Sequence, residues 1–276
     1  MKSIQDIRLR FIGAGNMAAS LMGGLINKGM TASQITASDP GQNQRAYIES
    51  QFQIQTYDDN NAHFGMPDIV IIAVKPQIMK RVLEDVTPSI RHTNPLVISV
   101  AAGITTNQIA GWLAIDLPIV RTMPNTPALI GQGAIGMFAN QLVTKNQLQM
   151  TEQVMDAVGT SIWVDKEFEI DAVTALSGSG PAYFFMFMEY LQQAGQKLGL
   201  SEGNATLLAK KTAIGSALLA ERSPESLQQL KDRVTSPNGT TAAALESFAD
   251  NHIEKVIEKA LMAANDRSVA LSKEFD

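Results

Sequence analysis

The stretch that decides the fold is Phe11-Ile12-Gly13-Ala14-Gly15-Asn16-Met17-Ala18, close to the start of the sequence. An apolar run, Ile7 to Ile12, leads into it and predicts a strand, and an amphipathic run, Met17 to Lys28, leads out of it and predicts a helix. Such a glycine turn is typical of dinucleotide sites, because pyrophosphate can approach the main chain beside the free N–H groups of the helix. The alternative is a plain tight turn between two core elements; the flanking elements favour binding.

The composition restricts the class of protein. With 276 residues, and about 150 per domain, the chain is expected to form two domains. Its net charge of −5 argues against binding to nucleic acid, which requires a basic surface. The absence of cysteine excludes disulfides, thiolate metal sites and a cysteine nucleophile. Because no signal segment or membrane-length apolar run stands out, we expect a cytoplasmic enzyme without a bound metal.

Strands that alternate with helices predict a parallel, doubly wound sheet. The runs from Ile69 to Val74, Leu96 to Val100 and Ile119 to Met123 are continuously apolar and rich in β-branched residues, as in strands buried on both faces. Helical patterns from Ile78 to Val86 and from Thr106 to Leu113 separate them. We expect further strands at 35–38, 53–55, 134–139 and 162–164, and a helix at 145–158.

The end of the second strand bears on the choice of nicotinamide cofactor. Ser38 ends this strand, Asp39 follows it, and Arg45 is near in sequence. An acid at this place accepts hydrogen bonds from the ribose of NAD, whereas a small polar residue with a nearby arginine suits the extra phosphate of NADP. A turn residue before Pro40 is an equally good interpretation of Asp39, so the preference between NADPH and NADH stays open.

Three more strand ends carry small or polar residues. They are Val74-Lys75-Pro76, Ala101-Ala102 and Asn125-Thr126. Because ligands of open parallel sheets bind beyond the carboxyl ends of the strands, we expect these residues to line one edge of the sheet beside the glycine turn. For Lys75 and Pro76 alone, an exposed loop that leads into a helix is the alternative.

After about residue 165 the pattern becomes helical throughout. We therefore expect a dinucleotide-binding domain at 1–165 and an all-helical domain at 166–276. The segments 183–188 and 212–220 are apolar or small all round, which indicates helices that are buried. About 110 residues are few to cover two such helices, so the sequence predicts a homodimer.

The turn from Thr235 to Thr241 is the second candidate site. It reads Thr-Ser-Pro-Asn-Gly-Thr-Thr and leads into a helix. Hydroxyl groups and free N–H groups at a helix start can hold a carboxylate, and Asn238 and Gly239 tolerate a left-handed backbone. A capped helix start with Thr240 as the N-cap, and without a ligand, is the alternative.

Nearly the whole sequence resembles the pyrroline-5-carboxylate reductases, which make proline. The resemblance rests on the glycine turn, on Ala73-Val-Lys-Pro-Gln77, Ser99-Val-Ala-Ala-Gly103, Met123-Pro-Asn-Thr-Pro127 and Ser177-Gly-Ser-Gly-Pro-Ala-Tyr183, and above all on Leu230-Lys-Asp-Arg-Val-Thr-Ser-Pro-Asn-Gly-Thr-Thr241. The family usually has two glycines where this chain has Asn238-Gly239. The resemblance implies a Rossmann-type domain, a helical dimer with the substrate site at its interface, and in some cases a decamer.

The resemblance also implies roles for individual residues. It implies that the substrate is bound by Ser236, Asn238, Gly239, Thr240 and Thr241. The turn from Asn238 to Thr241 would hold the carboxylate, and the hydroxyl of Thr241 would face the imine nitrogen. It assigns the cofactor NADPH, or NADH, to a groove formed by Ile12, Gly13, Ala14, Gly15, Asn16, Met17, Ser38, Asn60, Ala73, Val74, Lys75, Pro76, Val100, Ala101, Ala102 and Asn125, with Asn125 near the nicotinamide.

The motifs contain no evident general acid. His63, His92 and His252 lie outside them, so surface or structural roles are expected for all three. A protonated imine would bring its own proton, and a hydroxyl would then need only to orient the nitrogen. Two other functions stay open at this point: a reductase of another small imine or hydroxy acid, and a nucleotide-sensing regulatory protein.

Overall fold

The computed structural model describes residues 4–275, and a single sheet organises the first half of this part. Each strand lies within three residues of its predicted position. The strands are β1 (Leu9–Ile12), β2 (Ile35–Ser38), β3 (Gln55–Tyr57), β4 (Ile69–Ile72), β5 (Leu96–Ser99), β6 (Ile119–Met123), β7 (Gly133–Ala139) and β8 (Gly159–Trp163).

Most of the helices also follow the predicted pattern, but the helix Gln42–Phe52 was not predicted from the sequence. The largest difference in helix bounds is in Pro76–Thr93. This helix continues through Pro88 to Thr93, although the apolar pattern predicted its end at Val86. The helices are α1 (Asn16–Asn27), α2 (Gln42–Phe52), α3 (Pro76–Thr93), α4 (Thr106–Leu113), α5 (Lys145–Met155), α6 (Glu169–Val173), α7 (Gly180–Lys197), α8 (Glu202–Arg222), α9 (Leu227–Arg233), α10 (Thr240–Asp250) and α11 (Ile253–Lys273).

The described strands form one sheet of order β3-β2-β1-β4-β5-β6-β7-β8, which confirms the doubly wound architecture. All neighbouring pairs are parallel except β6 and β7. This antiparallel pair departs from the expectation of a parallel sheet. Its cause is the connection from Met123 to Gly133, which contains only a short 3-10 turn (Thr126–Ile130) instead of a crossover helix.

The central strands are apolar on both sides because helices cover both faces of the sheet. In β1, Leu9 and Phe11 pack in a cluster with α1 residues such as Leu21, while Ile12 packs in a second cluster with α3 residues such as Leu83. Successive strand residues point to opposite faces, so an uninterrupted apolar run serves both layers. This packing fixes the carboxyl ends of β1, β4 and β5 side by side.

The described chain forms two compact units. One contains the residues up to Ser179 together with those from Ala264 onward, and the other is Gly180–Ala263. The division based on composition, at residue 165, falls before α6, whereas the contacts group α6 and the end of α11 with the sheet. Arg121 of β6 explains part of this grouping: it pairs with Asp171 of α6 at 3.3 Å, and Asp171 accepts a hydrogen bond from Ser268 of α11.

The second unit exposes a large apolar surface. Phe184 is 69% exposed in α7, and Ile214 and Leu219 of α8 are more than half exposed. Apolar patches of this extent on a single chain mark an interaction surface. None of the helices in the described part of the chain is long and apolar enough to span a membrane.

Candidate active site

Gly13 gives the turn after β1 its shape. Its φ is +93°, and a Cβ atom would lie 2.7 Å from the carbonyl oxygen of Ala73 and 3.0 Å from Val74 Cγ1. Its N–H donates to the carbonyl of Ser38, 2.8 Å away. Only glycine therefore allows the ends of β1, β2 and β4 to approach one another this closely.

Gly15 leaves the start of α1 open. It is the N-cap residue, no side chain in the described structure caps this helix, and no described atom lies within 4 Å of where its Cβ would be. The N–H groups of Asn16 and Met17 belong to the first turn of α1, where they have no partner within the helix. An open, positively polarised helix start fits a pyrophosphate, so the residues present suit a bound dinucleotide.

Ala14 between the two glycines is held from the next loop. Its N–H donates to Asp39 Oδ2 at 3.0 Å, and its carbonyl accepts a hydrogen bond from Gln44 Nε2 of α2. The second oxygen of Asp39 accepts the N–H of Gly41 at 2.8 Å. The contact with Gly41 agrees with the interpretation of Asp39 as a turn residue. The contact with Ala14, which ties the glycine turn to the loop after β2, was not predicted.

The end of β2 is buried. The side chain of Ser38 is fully buried, and its hydroxyl contacts Asn60 Oδ1 at 2.8 Å and the carbonyl of Phe11 at 3.3 Å. Arg45 donates from one nitrogen to the carbonyls of Asp39 and Pro40, at 2.8 and 3.0 Å. Ser38, Asn60 and Arg45 therefore lie around the same strand end, as a site for the adenosine end of a cofactor requires.

The remaining predicted groove residues follow β4 and β5. Ala73 donates its N–H to the carbonyl of Ile12, and Val100 donates to the carbonyl of Ile72, so both loops start level with the glycine turn. Lys75 is exposed and precedes α3, in which Pro76 is the first residue. The structure thus brings Ala73–Pro76 and Val100–Ala102 to the same sheet edge as the glycine turn.

The side chain of Asn125 is buried and hydrogen-bonded, unlike a side chain that is open to a ligand. Its Nδ2 donates to the carbonyl of Ser177 at 3.0 Å, and its Oδ1 accepts the N–H of Ala134 at 3.0 Å. Both functional groups of this buried amide are therefore engaged within the protein. The side chain joins the end of β6 to β7 and to the helical turn that follows α6.

The turn before α10 keeps its polar groups free of capping side chains. Gly239, not Thr240, is the N-cap, and no described side chain caps the helix. Asn238 has a φ of +58°, which is the left-handed conformation, whereas Gly239 has an extended backbone and a Cβ there would collide with Ser236 Oγ. The N–H groups of Thr240 and Thr241 belong to the first turn of this helix, where they have no partner within the helix.

His63 lies in the same loop as Asn60, whereas His92 and His252 belong to neither candidate site. His63 stacks on Tyr57 with ring centroids 5.0 Å apart, His92 is in the last turn of α3, and His252 precedes α11. Within residues 4–275, no three His, Asp or Glu side chains are grouped so as to hold a metal ion. Sequence reasoning missed two residues beside the groove, Gln44 and Arg10, and Arg10 was detectable as a charge within an apolar strand.

Comparisons with known proteins agree with this geometry. Residues 167–271 match the family described as pyrroline-5-carboxylate reductase dimerisation, and residues 8–103 match the one described as NADP oxidoreductase, coenzyme F420-dependent. The chain is 48% identical to pyrroline-5-carboxylate reductase of Pseudomonas aeruginosa over 97% of its own length and 98% of that protein. It is 40% identical to the Vibrio alginolyticus enzyme over 97% and 98% of the two chains.

Solved structures give the same result. The reductase from Coxiella burnetii matches with a TM-score of 0.93 and 40% identity, over 96% of this chain and 98% of that one. The Plasmodium falciparum enzyme, solved with NADP bound, matches with a TM-score of 0.85 and 30% identity, over 98% and 100% of the two chains. On these grounds, and with a glycine turn shaped for a dinucleotide, the chain belongs to the pyrroline-5-carboxylate reductase family.

Proposed function

We infer that this chain is an oxidoreductase that uses NAD(P)H to reduce the C=N bond of 1-pyrroline-5-carboxylate, forming L-proline in the last step of proline biosynthesis. The observation that carries this conclusion is the likeness to reductases of this name over nearly the full length of both chains. The open helix start at Gly15 supports it independently, because it fits the pyrophosphate of the cofactor.

The direct test is the loss of nicotinamide absorbance when the purified protein is incubated with pyrroline-5-carboxylate and NADPH, with NADH in parallel. Oxidation that depends on the imine is expected. No oxidation with either cofactor, in protein shown to be folded by circular dichroism, would reject the reductase function and favour another substrate or a nucleotide-sensing role.

We propose that residues 1–165 bind the cofactor and that residues 166–276 form the dimerisation and substrate domain. The family match over residues 167–271 supports this division by function, even though the end of α11 packs with the sheet. In the second domain, Ser236, Asn238, Gly239, Thr240 and Thr241 are proposed to bind the substrate. The N–H groups at the start of α10 attract the carboxylate, because the helix dipole favours an anion there.

The proposed mechanism requires little proton transfer by the protein. The reduced nicotinamide supplies a hydride when it is bound. If the imine nitrogen already carries a proton, adding a hydride to the ring carbon yields the neutral secondary amine directly. The hydroxyl of Thr241 would then hold the nitrogen in position by a hydrogen bond, and the turn from Ser236 to Thr240 would hold the carboxylate; positioning of this kind accelerates a reaction between bound partners.

We propose NADPH as the preferred cofactor. Each carboxylate oxygen of Asp39 already accepts a backbone N–H group, so this acid has a structural role in the turn that does not depend on the ribose of NADH. The positive charge of Arg45 lies at the same loop and suits a phosphate. We expect Arg45→Met to raise KM for NADPH several-fold and to leave KM for NADH unchanged; equal changes for both cofactors would contradict this assignment.

The chain contains the family's dimerisation domain, which supports a homodimer. We propose a decamer of five such dimers as a further level of assembly, on the family resemblance alone. Light scattering after size-exclusion chromatography distinguishes the two, since their masses differ fivefold. The cytoplasmic location expected from the sequence stays a prediction, which cell fractionation tests.

A further inference from the structure

Arg10 is a charged residue in the middle of the sheet. It lies in β1 between Leu9 and Phe11, its side chain is fully buried, and none of the motifs described above includes it. Arginine is rarely buried to this extent unless its charge is compensated, because removal of a cation from water is costly. Burial of this charge therefore suggests that Arg10 has a role other than packing.

The guanidinium contacts the loop that follows β3. Its Nη2 atom lies 3.0 Å from the carbonyl oxygen of Asn60, 3.3 Å from that of Ala62 and 3.4 Å from that of Asp59. Its Cζ atom lies 5.2 Å from the ring centroid of Tyr57 and 5.7 Å from that of Phe64. Arg10 thus holds the loop at both its ends and at its middle.

This arrangement carries an energetic cost. Burial lowers the pKa of Arg10 to about 10, although Tyr57 and Asp59 act in the opposite direction. Nε and Nη1 are buried and have no hydrogen-bond partner among residues 4–275. The side chain is still a cation at neutral pH, and the cost of burying the charge is present below about pH 10 and falls as the pH rises above it.

The loop that Arg10 holds belongs to the cofactor groove. Asn60 accepts the hydroxyl hydrogen of Ser38, and the carbonyl of Ser38 in turn accepts the N–H of Gly13. A continuous series of contacts therefore runs from Arg10 through Asn60 and Ser38 to the glycine turn. If the loop moved, the end of β2 would lose this partner.

We propose that Arg10 is a positioning residue that fixes Asn60, and through it Ser38, at the adenosine end of the cofactor groove. This inference rests on the proposed function only in that the groove binds a nicotinamide dinucleotide. A residue that merely stabilised the fold would affect all ligands alike, whereas a positioning residue affects the adenosine portion of the cofactor and leaves the helical substrate site unchanged.

The test compares Arg10→Met, which keeps the length of the side chain, and Arg10→Lys, which keeps the charge but has a single nitrogen. Arg8→Met serves as the matched control, because Arg8 is an exposed arginine just before the same strand. Calorimetry on the full-length enzyme gives the Kd for NADP⁺, for adenosine 2′,5′-bisphosphate and for proline. Binding of the adenosine fragment does not depend on catalysis, so this result is separate from that of the activity assay.

Arg10→Met is expected to raise the Kd for NADP⁺ and for the adenosine fragment about tenfold, the size of effect that follows loss of charge-assisted hydrogen bonds. Arg10→Lys should give a smaller increase, and neither variant should change the Kd for proline. The KM for NADPH should rise with kcat retained. Unchanged binding of the fragment in folded Arg10→Met, or equal losses for NADP⁺ and proline, would overturn the proposal.

A double-mutant cycle tests the route through Asn60. If Arg10 acts by holding this residue, Arg10→Met should weaken fragment binding much less in an Asn60→Ala background than in the wild type. Additive effects would show that Arg10 does not act through Asn60. If Arg10→Met proves unstable, Arg10→Lys in the same cycle gives the same comparison.

Discussion

At the scale of single residues, two glycines of one turn meet different requirements. Gly13 has a positive φ and no room for a Cβ, whereas Gly15 has open space around it. The first requirement belongs to the fold, and the second has no structural cause among the described residues. The space at Gly15 therefore points to the cofactor, and substitution separates the two roles.

Gly13→Ala is expected to lower the free energy of unfolding by about 2 kcal/mol or more, because it adds a strained φ and a collision with the Ala73 carbonyl. Denaturant unfolding measures this change. Gly111→Ala in α4 is the control, since a Cβ there meets no described atom within 4 Å and alanine favours a helix. Equal stability of Gly13→Ala and wild type would show that the turn can rearrange.

Gly15→Val should leave the unfolding transition near that of the wild type and weaken NADP⁺ binding at least about tenfold, because its side chain would fill the space next to the helix start. Thermal unfolding with and without NADP⁺ measures both quantities in one experiment, since a bound ligand raises the unfolding temperature. A normal increase on addition of NADP⁺ would remove Gly15 from the binding site.

Thr241→Ala tests the proposed orienting hydroxyl. We expect kcat/KM for pyrroline-5-carboxylate to fall by about 100-fold, the size of effect seen when one hydrogen-bonding group at a reacting atom is removed, while the Kd for NADPH is unchanged. Thr241→Ser keeps the hydroxyl and should recover much of the activity. An unchanged kcat/KM in Thr241→Ala would exclude Thr241 from the mechanism.

At the scale of secondary-structure elements, the spacing of apolar residues predicted the positions of most strands and helices. The helix Thr106–Leu113 was predicted with its observed bounds, because a polar start and apolar spacing mark its ends. The direction of β7 could not be predicted this way. It depends on whether a crossover helix fits between Met123 and Gly133, and Pro124-Asn125-Thr126-Pro127 gave no clear sign of a 3-10 turn.

The turn before α10 shows what the family departure at Asn238 means. Asparagine adopts the left-handed φ that a glycine would otherwise supply. Asn238→Gly should therefore keep stability near the wild-type value, and Asn238→Ala should lower it by about 1 kcal/mol. If the side chain only shapes the turn, Asn238→Gly also keeps KM for the imine. A large rise in KM would instead indicate that the amide contacts the substrate.

Side-chain directions in loops were beyond sequence reasoning. A place at the ribose end of the cofactor stays a prediction for Ser38 and Asp39. The sequence did not predict that Asp39 would accept the N–H of Ala14 or that Gln44 would donate to the carbonyl of the same alanine. These contacts depend on how the loop after β2 folds back on the glycine turn. The role of Arg10 was not predicted either, because the run from Ile7 to Ile12 was interpreted only as an apolar strand.

At the scale of the whole molecule, the exposed apolar surface of α7 and α8 agrees with the dimer expected from their composition. Ile214→Asp places a charge in this surface and is expected to convert the dimer to a monomer, with loss of reductase activity, because burial of an unpaired charge is costly. Light scattering gives the mass. Lys28→Asp, at the end of α1, is the control and should remain dimeric.

The grouping of the chain into units was only partly predictable. Composition revealed where strands stop and helices begin, but not that the end of α11 belongs with the sheet. Gln108 donates to the carbonyl of Ser272 across 164 positions, and Ser268 contacts Asp171 across 97. Contacts between such distant residues leave no periodic pattern in the sequence.

The packing of the end of α11 within the first unit has a consequence for synthesis of the protein on the ribosome. Leu271 packs beside Gly103, and Phe275 packs against the cluster that covers one face of the sheet. The first unit therefore lacks part of its packing until residues 264–275 have been translated and have left the exit tunnel. We expect nascent chains stalled before residue 264 to be more sensitive to protease than chains that include residues 264–275, although the stalled chains already contain all of the strands that the structure describes.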